Sequence, residues 1–174
     1  MFSDPDKNIA VLEVGDGMKV VDIGAGSGFY SIAAAKKVGS MGRVYAVDIQ
    51  QDLLVKLKNS AGLVGIHNIE AVWGNAEKIG GTKLRESIAD RAIISNTLFQ
   101  IEPQDRDNLC LEIKRIVKSG GKVMVIDWTA GSPLAPKTLV PSMVAEAFFS
   151  KAGFVLEKNF DAGDHHYGLI FKRP

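Results

Sequence analysis

The chain has 174 residues, 46% of them hydrophobic, with 21 Lys plus Arg against 20 Asp plus Glu and a formal net charge of +1. That length suits one domain (1–174) able to bury about 70% of its unfolded surface. The near balance of charge, with no basic block, gives no strong nucleic-acid signal.

The N-terminal stretch MFSDPDKN is polar and acidic, unlike a signal peptide. No apolar run reaches the about 20 residues a membrane span requires, so no membrane partner is expected. KVVDI (19–23) reads as a first strand, followed by a helix through YSIAAAKKV that stops near Gly39. GRVYAVDI (42–49) is a second strand, and QDLLVKLKNSAGLVG a helix with Leu53, Leu54, Leu57 and Leu63 at helical spacing. NIEAVWG (68–74) and ADRAIISNT (89–97) are the third and fourth strands.

PQDRDNLCLEIKRIVKSGG places Asp early, Lys and Arg late and a Gly pair at its end, the start and stop signals of a helix aligned with its dipole. Cys110 lies within it, the only cysteine of the chain. An intramolecular disulfide is therefore excluded, which fits a reducing, cytoplasmic setting. Its apolar helical surroundings predict a buried small side chain rather than a reactive thiol.

KVMVIDW (122–128) is a fifth strand, and a loop with Gly131, Pro133 and Pro136 leads to a helix from near Pro141. FVLEKNF and HYGLIFKR close the chain as two strands separated by DAGDH. Alternating strands and helices imply a parallel sheet covered on both faces. The final connection is too short for a parallel crossover. The expected fold is a Rossmann-like three-layer α/β sandwich, its seven-stranded sheet mostly parallel and its last strand reversed.

Between the first strand and its helix, VVDIGAGSGFYSI carries Gly24, Gly26 and Gly28. A dinucleotide loop, G-x-G-x-x-G, requires glycine where Phe29 stands, and no Gly-Lys-Ser/Thr follows to make a P-loop. The loop by itself reads equally as a tight strand-to-helix turn. Asp48 ends the second strand, where a carboxylate can accept ribose hydroxyls or cap the following helix. Together the loop and the acid point to an adenosine-containing ligand.

VVDIGAGSGFYSI, VYAVDI, GNAEKI, DRAIISNTLFQI and KSGGKVMVIDW resemble the successive motifs of class I S-adenosylmethionine-dependent methyltransferases, most of all the ubiquinone/menaquinone methyltransferase-like group. The resemblance runs from about residue 15 to 128, and the reversed last strand extends it to the C-terminus. It implies S-adenosyl-L-methionine as cofactor and methyl transfer as activity. Gly24, Ala25, Gly26 and Gly28 would meet the methionine portion, whose carboxylate would approach the next helix N-terminus. Asp22 would support the loop and face the amino group, Asp48 would hold the ribose, and Ile49 would pack on adenine. Asn75 and Ala76 would touch adenine, with Asn75 replacing the aspartate common in the family, so the charge is lost and an amide acceptor kept. Ser95, Asn96 and Tyr30 would border the methionine end and the acceptor mouth. SNTLFQI lacks the Asn/Asp-Pro-Pro-aromatic motif common in methylases of nucleic-acid base amines.

An ionised acceptor needs only alignment with the methyl group, whereas a hydroxyl or carbon acid needs a base. Asp127, His165 and His166 are the candidates. Asp127 and Trp128 lie at the carboxyl edge of the fifth strand and read first as pocket lining. The two histidines read first as a solvated turn. Trp73, Phe99 and Phe148 read as core. Three histidines and one cysteine without ligand spacing predict no metal site. The expected acceptor is a small molecule, in an open site or one completed by a second copy in a homodimer, with RNA or protein acceptors as alternatives. A nicotinamide-dependent oxidoreductase and a non-catalytic cofactor-binding scaffold are the competing readings.

Overall fold

The computed structural model describes residues 3–174. Over them the strands are β1 (Lys19–Ile23), β2 (Arg43–Asp48), β3 (Ile69–Trp73), β4 (Ala89–Ser95), β5 (Val117–Trp128), β6 (Val155–Asp161) and β7 (His166–Lys172). The helices are α1 (Pro5–Val11), α2 (Phe29–Val38), α3 (Gln51–Leu63), α4 (Arg106–Ile116) and α5 (Ser142–Lys151). One sheet runs in the order β3-β2-β1-β4-β5-β7-β6. All pairs are parallel except those of β7, which is antiparallel to both β5 and β6. The mixed, mostly parallel sheet with its reversed last strand is the one the sequence implies.

Alternation along the buried strands supplies both faces of the core. Val21 and Ile23 of β1 join Leu109, Ile113 and Ile116 of α4 and Phe149 of α5 on one side. Val20, one residue earlier, joins Ile9 of α1 and Ala33, Ala34 and Val38 of α2 on the other. Leu54 and Leu57 of α3 pack on Ala46 of β2. Period-two side chains in the strands and an apolar stripe on each helix make these layers mutually necessary. The chain order reverses between β1 and β4, so their carboxyl ends open the crevice in which such sheets bind ligands.

Two elements depart from the sequence reading. Helix α1 has no counterpart in it. Asp4 caps this helix through the Lys7 N–H, and Asn8 Nδ2 donates 3.0 Å to the Ala162 carbonyl and 2.9 Å to the Tyr30 hydroxyl. At only 7 residues, the helix depends on these distant partners rather than on its own propensity. Helix α4 ends at Ile116 rather than at the Gly pair, and β5 starts at Val117. Val117 pairs with Ala89, and the β4–β5 register then shifts before Arg91 meets Lys122. Gly120, at φ +76°, lies within that irregular stretch.

Candidate functional site

Two adjoining cavities open at the carboxyl ends of β1, β2, β4 and β5. The first, of about 270 Å³, is bounded by Gly24 and Gly26, by Val47, Asp48 and Ile49, by Gly74 through Glu77, and by Thr97, Gln100 and Ile101. The second, of about 620 Å³, is bounded by Asp22, the 24–27 loop, Phe29, Tyr30, Ser95, Asn96, Trp128 and His166. Gly24, Gly26 and Gln100 line both.

The loop between them has its shape imposed from several directions. A side chain at Gly24 would meet Thr97 Oγ1 at 2.5 Å, and one at Gly28 would meet Leu57 at 2.4 Å. Gly26 is different: at φ +53° it has only the Gly24 carbonyl within 4 Å of where a Cβ would stand. Gly24 and Gly28 thus serve packing, while Gly26 leaves a bare backbone edge for close approach of a ligand. Helix α2 starts at this point with no side-chain cap, so its first N–H groups and positive dipole end suit an anion.

Asp48 holds the loop from the β2 side. Its Oδ2 accepts 2.9 Å from the Gly26 N–H and its Oδ1 accepts 2.8 Å from the Gln50 N–H. Turn-building and ligand-holding are compatible, because a carboxylate has about four acceptor positions and these bonds use two. Asp22 is 2% exposed and accepts 2.6 Å from Ser31 Oγ. Burial is the main cause raising its pKa to about 6, opposed by the Ser31 hydrogen bond and reinforced by the Asp48 charge. A ligand cation in the second cavity would favour its ionised form. Asn75 Oδ1 closes a turn by accepting 2.8 Å from the Glu77 N–H, with Ala76 and Ile49 beside it on the first cavity wall.

Unpartnered polar side-chain atoms border the second cavity. Among the described residues, the buried side-chain atoms without a hydrogen-bond partner are Asn96 Oδ1 and His166 Nε2, and both residues line this cavity. Asn96 also adopts a left-handed φ of +53°, locked by its N–H to Ile126 and by Gln100 Nε2 on its carbonyl. Backbone strain and unsatisfied buried groups gather at functional sites.

The remaining candidates separate clearly. Ser95 and Tyr30 line the second cavity, but the Tyr30 hydroxyl is engaged by Asn8 and Ser3. Asp127 lines neither cavity. Its oxygens accept 2.8 Å from the Trp128 N–H and 3.3 Å from the Phe99 N–H, so it ties the 98–100 turn to β5. Burial is the leading cause of its pKa rising to about 6. His165 is exposed in the β6–β7 turn at φ +60°, as a solvated turn residue would be. His166, expected in the same turn, is instead 4% exposed because it pairs with Trp128 as the first residue of β7.

Trp73, expected in the core, is 55% exposed on edge strand β3, its Nε1 donating to the Ile49 carbonyl and Lys83 resting over its ring. Phe99 and Phe148 pack against the core. Cys110 is buried, and burial pushes its thiol up to about 12. Thr97, Gln100 and Ser31 join the site without having been candidates on sequence grounds. The signal for Thr97 and Gln100 was their place just after β4, the strand beside β1.

Among the described residues no group of His, Cys, Asp and Glu could hold a metal ion, and no helix is long and apolar enough to cross a membrane. A family model described as a methyltransferase domain matches residues 14–163. An arsenite methyltransferase from Aquipseudomonas alcaligenes is 32% identical over 124 residues, 69% of this chain and 35% of that protein. A ubiquinone/menaquinone biosynthesis C-methyltransferase from Haemophilus ducreyi is 32% identical over 117 residues, 65% of this chain and 42% of that protein. The crystal structure of an S-adenosylmethionine-dependent methyltransferase from Aquifex aeolicus superimposes with a TM-score of 0.86 at 25% identity, covering 98% of this chain and 89% of that one. The chain spans half or less of the length of these curated relatives.

Proposed function

Since the chain belongs to the methyltransferase-domain family, we propose that it transfers the methyl group of S-adenosylmethionine to a small-molecule acceptor. The observation that carries this reading is the pair of cavities joined at Gly24, Gly26 and Gln100. The first, with Asp48, Ile49, Asn75 and Ala76 on its walls, matches an adenosine in size and chemistry. The second, with Asp22 and the uncapped α2 start, matches an amino-acid zwitterion: a carboxylate for its ammonium and helix N–H groups for its carboxylate. Asn96 Oδ1, buried without a partner, is a further acceptor for ligand N–H. The 620 Å³ of this cavity leaves room beside that zwitterion for a small acceptor.

When bound, the cofactor supplies an electrophilic methyl group on a sulfonium. The chain's part is to fix both partners. Asp48 secures the loop and the ribose side, Asp22 orients the amino end, and Phe29 and Trp128 supply apolar surface beside them. Holding two reactants in line is worth roughly 7–11 kcal/mol in favourable cases. The quinone and arsenite acceptors in the relatives' names support a small molecule, and the unpaired Cys110 fits a cytoplasmic site of action.

Thermal-shift titration tests the reading. S-adenosylhomocysteine at a hundred times its Kd should add about 2.7 kcal/mol of stability, and NAD(H) none. Stabilisation by NAD(H) alone would overturn it.

A further inference from the structure

We propose that His166 is the proton acceptor of the reaction and that the molecule it serves is a planar, weakly acidic hydroxyl compound of the phenol type. This deepens the methyl-transfer reading and rests on it. His166 Nδ1 lies 2.8 Å from the Asp164 carbonyl oxygen. A carbonyl only accepts, so Nδ1 carries the hydrogen and Nε2 of the neutral ring is left as a bare acceptor. That atom is buried without a partner, in a residue 4% exposed on the wall of the larger cavity. The Trp128 indole lies against the imidazole, ring centroids 4.3 Å apart and tilted by 40°. An entering flat ring replaces part of that contact and presents its O–H to Nε2.

The other groups facing this cavity do not compete for the role. Asp22 is bonded to Ser31, the Tyr30 hydroxyl to Asn8, and Asp127, in the neighbouring strand, lines neither cavity. Asp164 meets the imidazole through its backbone carbonyl. Neither Lys nor Arg lines the cavity, so no side-chain cation favours a carboxylate or phosphate acceptor over an uncharged one. An uncharged hydroxyl acceptor needs a base before it is a competent nucleophile. Phe29, 72% exposed at the rim, Trp128 and Leu134 supply flat and apolar walls for the ring. In the step, the acceptor O–H gives its proton to Nε2 and the oxygen electron pair forms the new O–CH3 bond. The electrons of the broken S–CH3 bond stay on sulfur, and the imidazolium then loses its proton to solvent.

The test compares 2-naphthol with thiophenol, which is largely thiolate at neutral pH and needs no base. His166→Gln should lower the ratio of the 2-naphthol to the thiophenol rate at least ~100-fold, and its remaining 2-naphthol rate should rise with pH only as the naphthol itself ionises. Stabilisation by S-adenosylhomocysteine should persist in the variant. Independently of turnover, the imidazole Cε1–H signal of His166 in the unaltered protein should move when 2-naphthol joins the S-adenosylhomocysteine complex. The signals of His67 and His165 should stay in place.

Equal loss of both rates would overturn the proposal, as would an unmoved His166 signal. So would a protein that S-adenosylhomocysteine stabilises but that never methylates 2-naphthol. If S-adenosylhomocysteine does not stabilise the unaltered protein, the methyl-transfer reading fails first. The spectroscopic arm decides the matter even if His166→Gln does not fold.

Discussion

Replacing Asp48 by Ala should weaken S-adenosylhomocysteine binding at least ~tenfold, about 1.4 kcal/mol. The carboxylate accepts hydrogen bonds of 2.9 Å from the Gly26 N–H and 2.8 Å from the Gln50 N–H. A bond to a charged group contributes about 1.5–3 kcal/mol. Gln50 is exposed and recovers water, so the bond that counts for the free protein is the one to Gly26. Stability should fall by about 1.5–3 kcal/mol, read from urea midpoints at constant m. Binding should suffer twice: the loop loses its anchor and, on the proposed reading, the ribose loses an acceptor.

Isothermal calorimetry with S-adenosylhomocysteine and with 5′-methylthioadenosine, which lacks the amino-acid end, locates the loss. Both ligands should weaken in Asp48→Ala. Unchanged affinity for both would refute the assignment of Asp48 to the ribose side.

Asp22→Asn should instead weaken S-adenosylhomocysteine by about tenfold and leave 5′-methylthioadenosine alone, since only the former has an ammonium. With the folded pKa of Asp22 raised from 3.8 to about 6, its contribution to the stability of the free protein is fully present below about pH 4 and lost as pH rises through 6. Over the same rise S-adenosylhomocysteine should bind more tightly, and calorimetry at about pH 5 and about pH 7.5 should show that dependence abolished in Asp22→Asn. Asp127, likewise near 6, adds to the stability trend without affecting the affinity trend.

Glu112→Gln should cost about 3 kcal/mol by chemical denaturation. This buried carboxylate accepts from the Gly80 N–H at 2.7 Å, from Thr82 and from Arg115 at 2.7 and 2.8 Å. It thereby holds the 74–87 connector that carries Asn75 and Ala76. Burial alone would raise its pKa, but the hydrogen bonds from Arg115, Thr82 and Gly80 prevail and lower it from 4.5 to about 2. Its stabilisation is therefore present above pH 4.5 and lost as pH falls towards 2, and in Glu112→Gln that acid-side loss should shrink.

What the sequence made visible was local. Strand and helix periodicity, the alternating glycines at 24, 26 and 28 and an acid at the end of a strand are written within a few residues of each other. They placed β1, β2, the loop and Asp48 side by side. The parts that stayed hidden depend on residues far apart in the chain. Helix α1 is held by Ala162 and Tyr30, and His166 is buried by the β5–β7 register that sets it opposite Trp128.

Asn96 takes a left-handed φ whose cause, the close of β4 against Ile126, has no mark in the sequence beyond an Asn that tolerates it. Asp127 looked like a pocket acid because it ends a strand, as Asp48 does. The difference is that the 98–100 turn folds over Asp127, which lines neither cavity, whereas Asp48 lines the first. Trp73 shows the same limit from the other side: an aromatic in a strand pattern reads as core unless the strand is known to be the sheet edge.

S-adenosylmethionine carrying a labelled methyl group, incubated with the purified chain and a metabolite extract, tests methyl transfer to a small molecule directly. Label should appear in low-molecular-weight products, with S-adenosylhomocysteine released in equal amount. Label confined to RNA or protein, or left on the cofactor while the protein still binds it, would rule out a small-molecule methyltransferase.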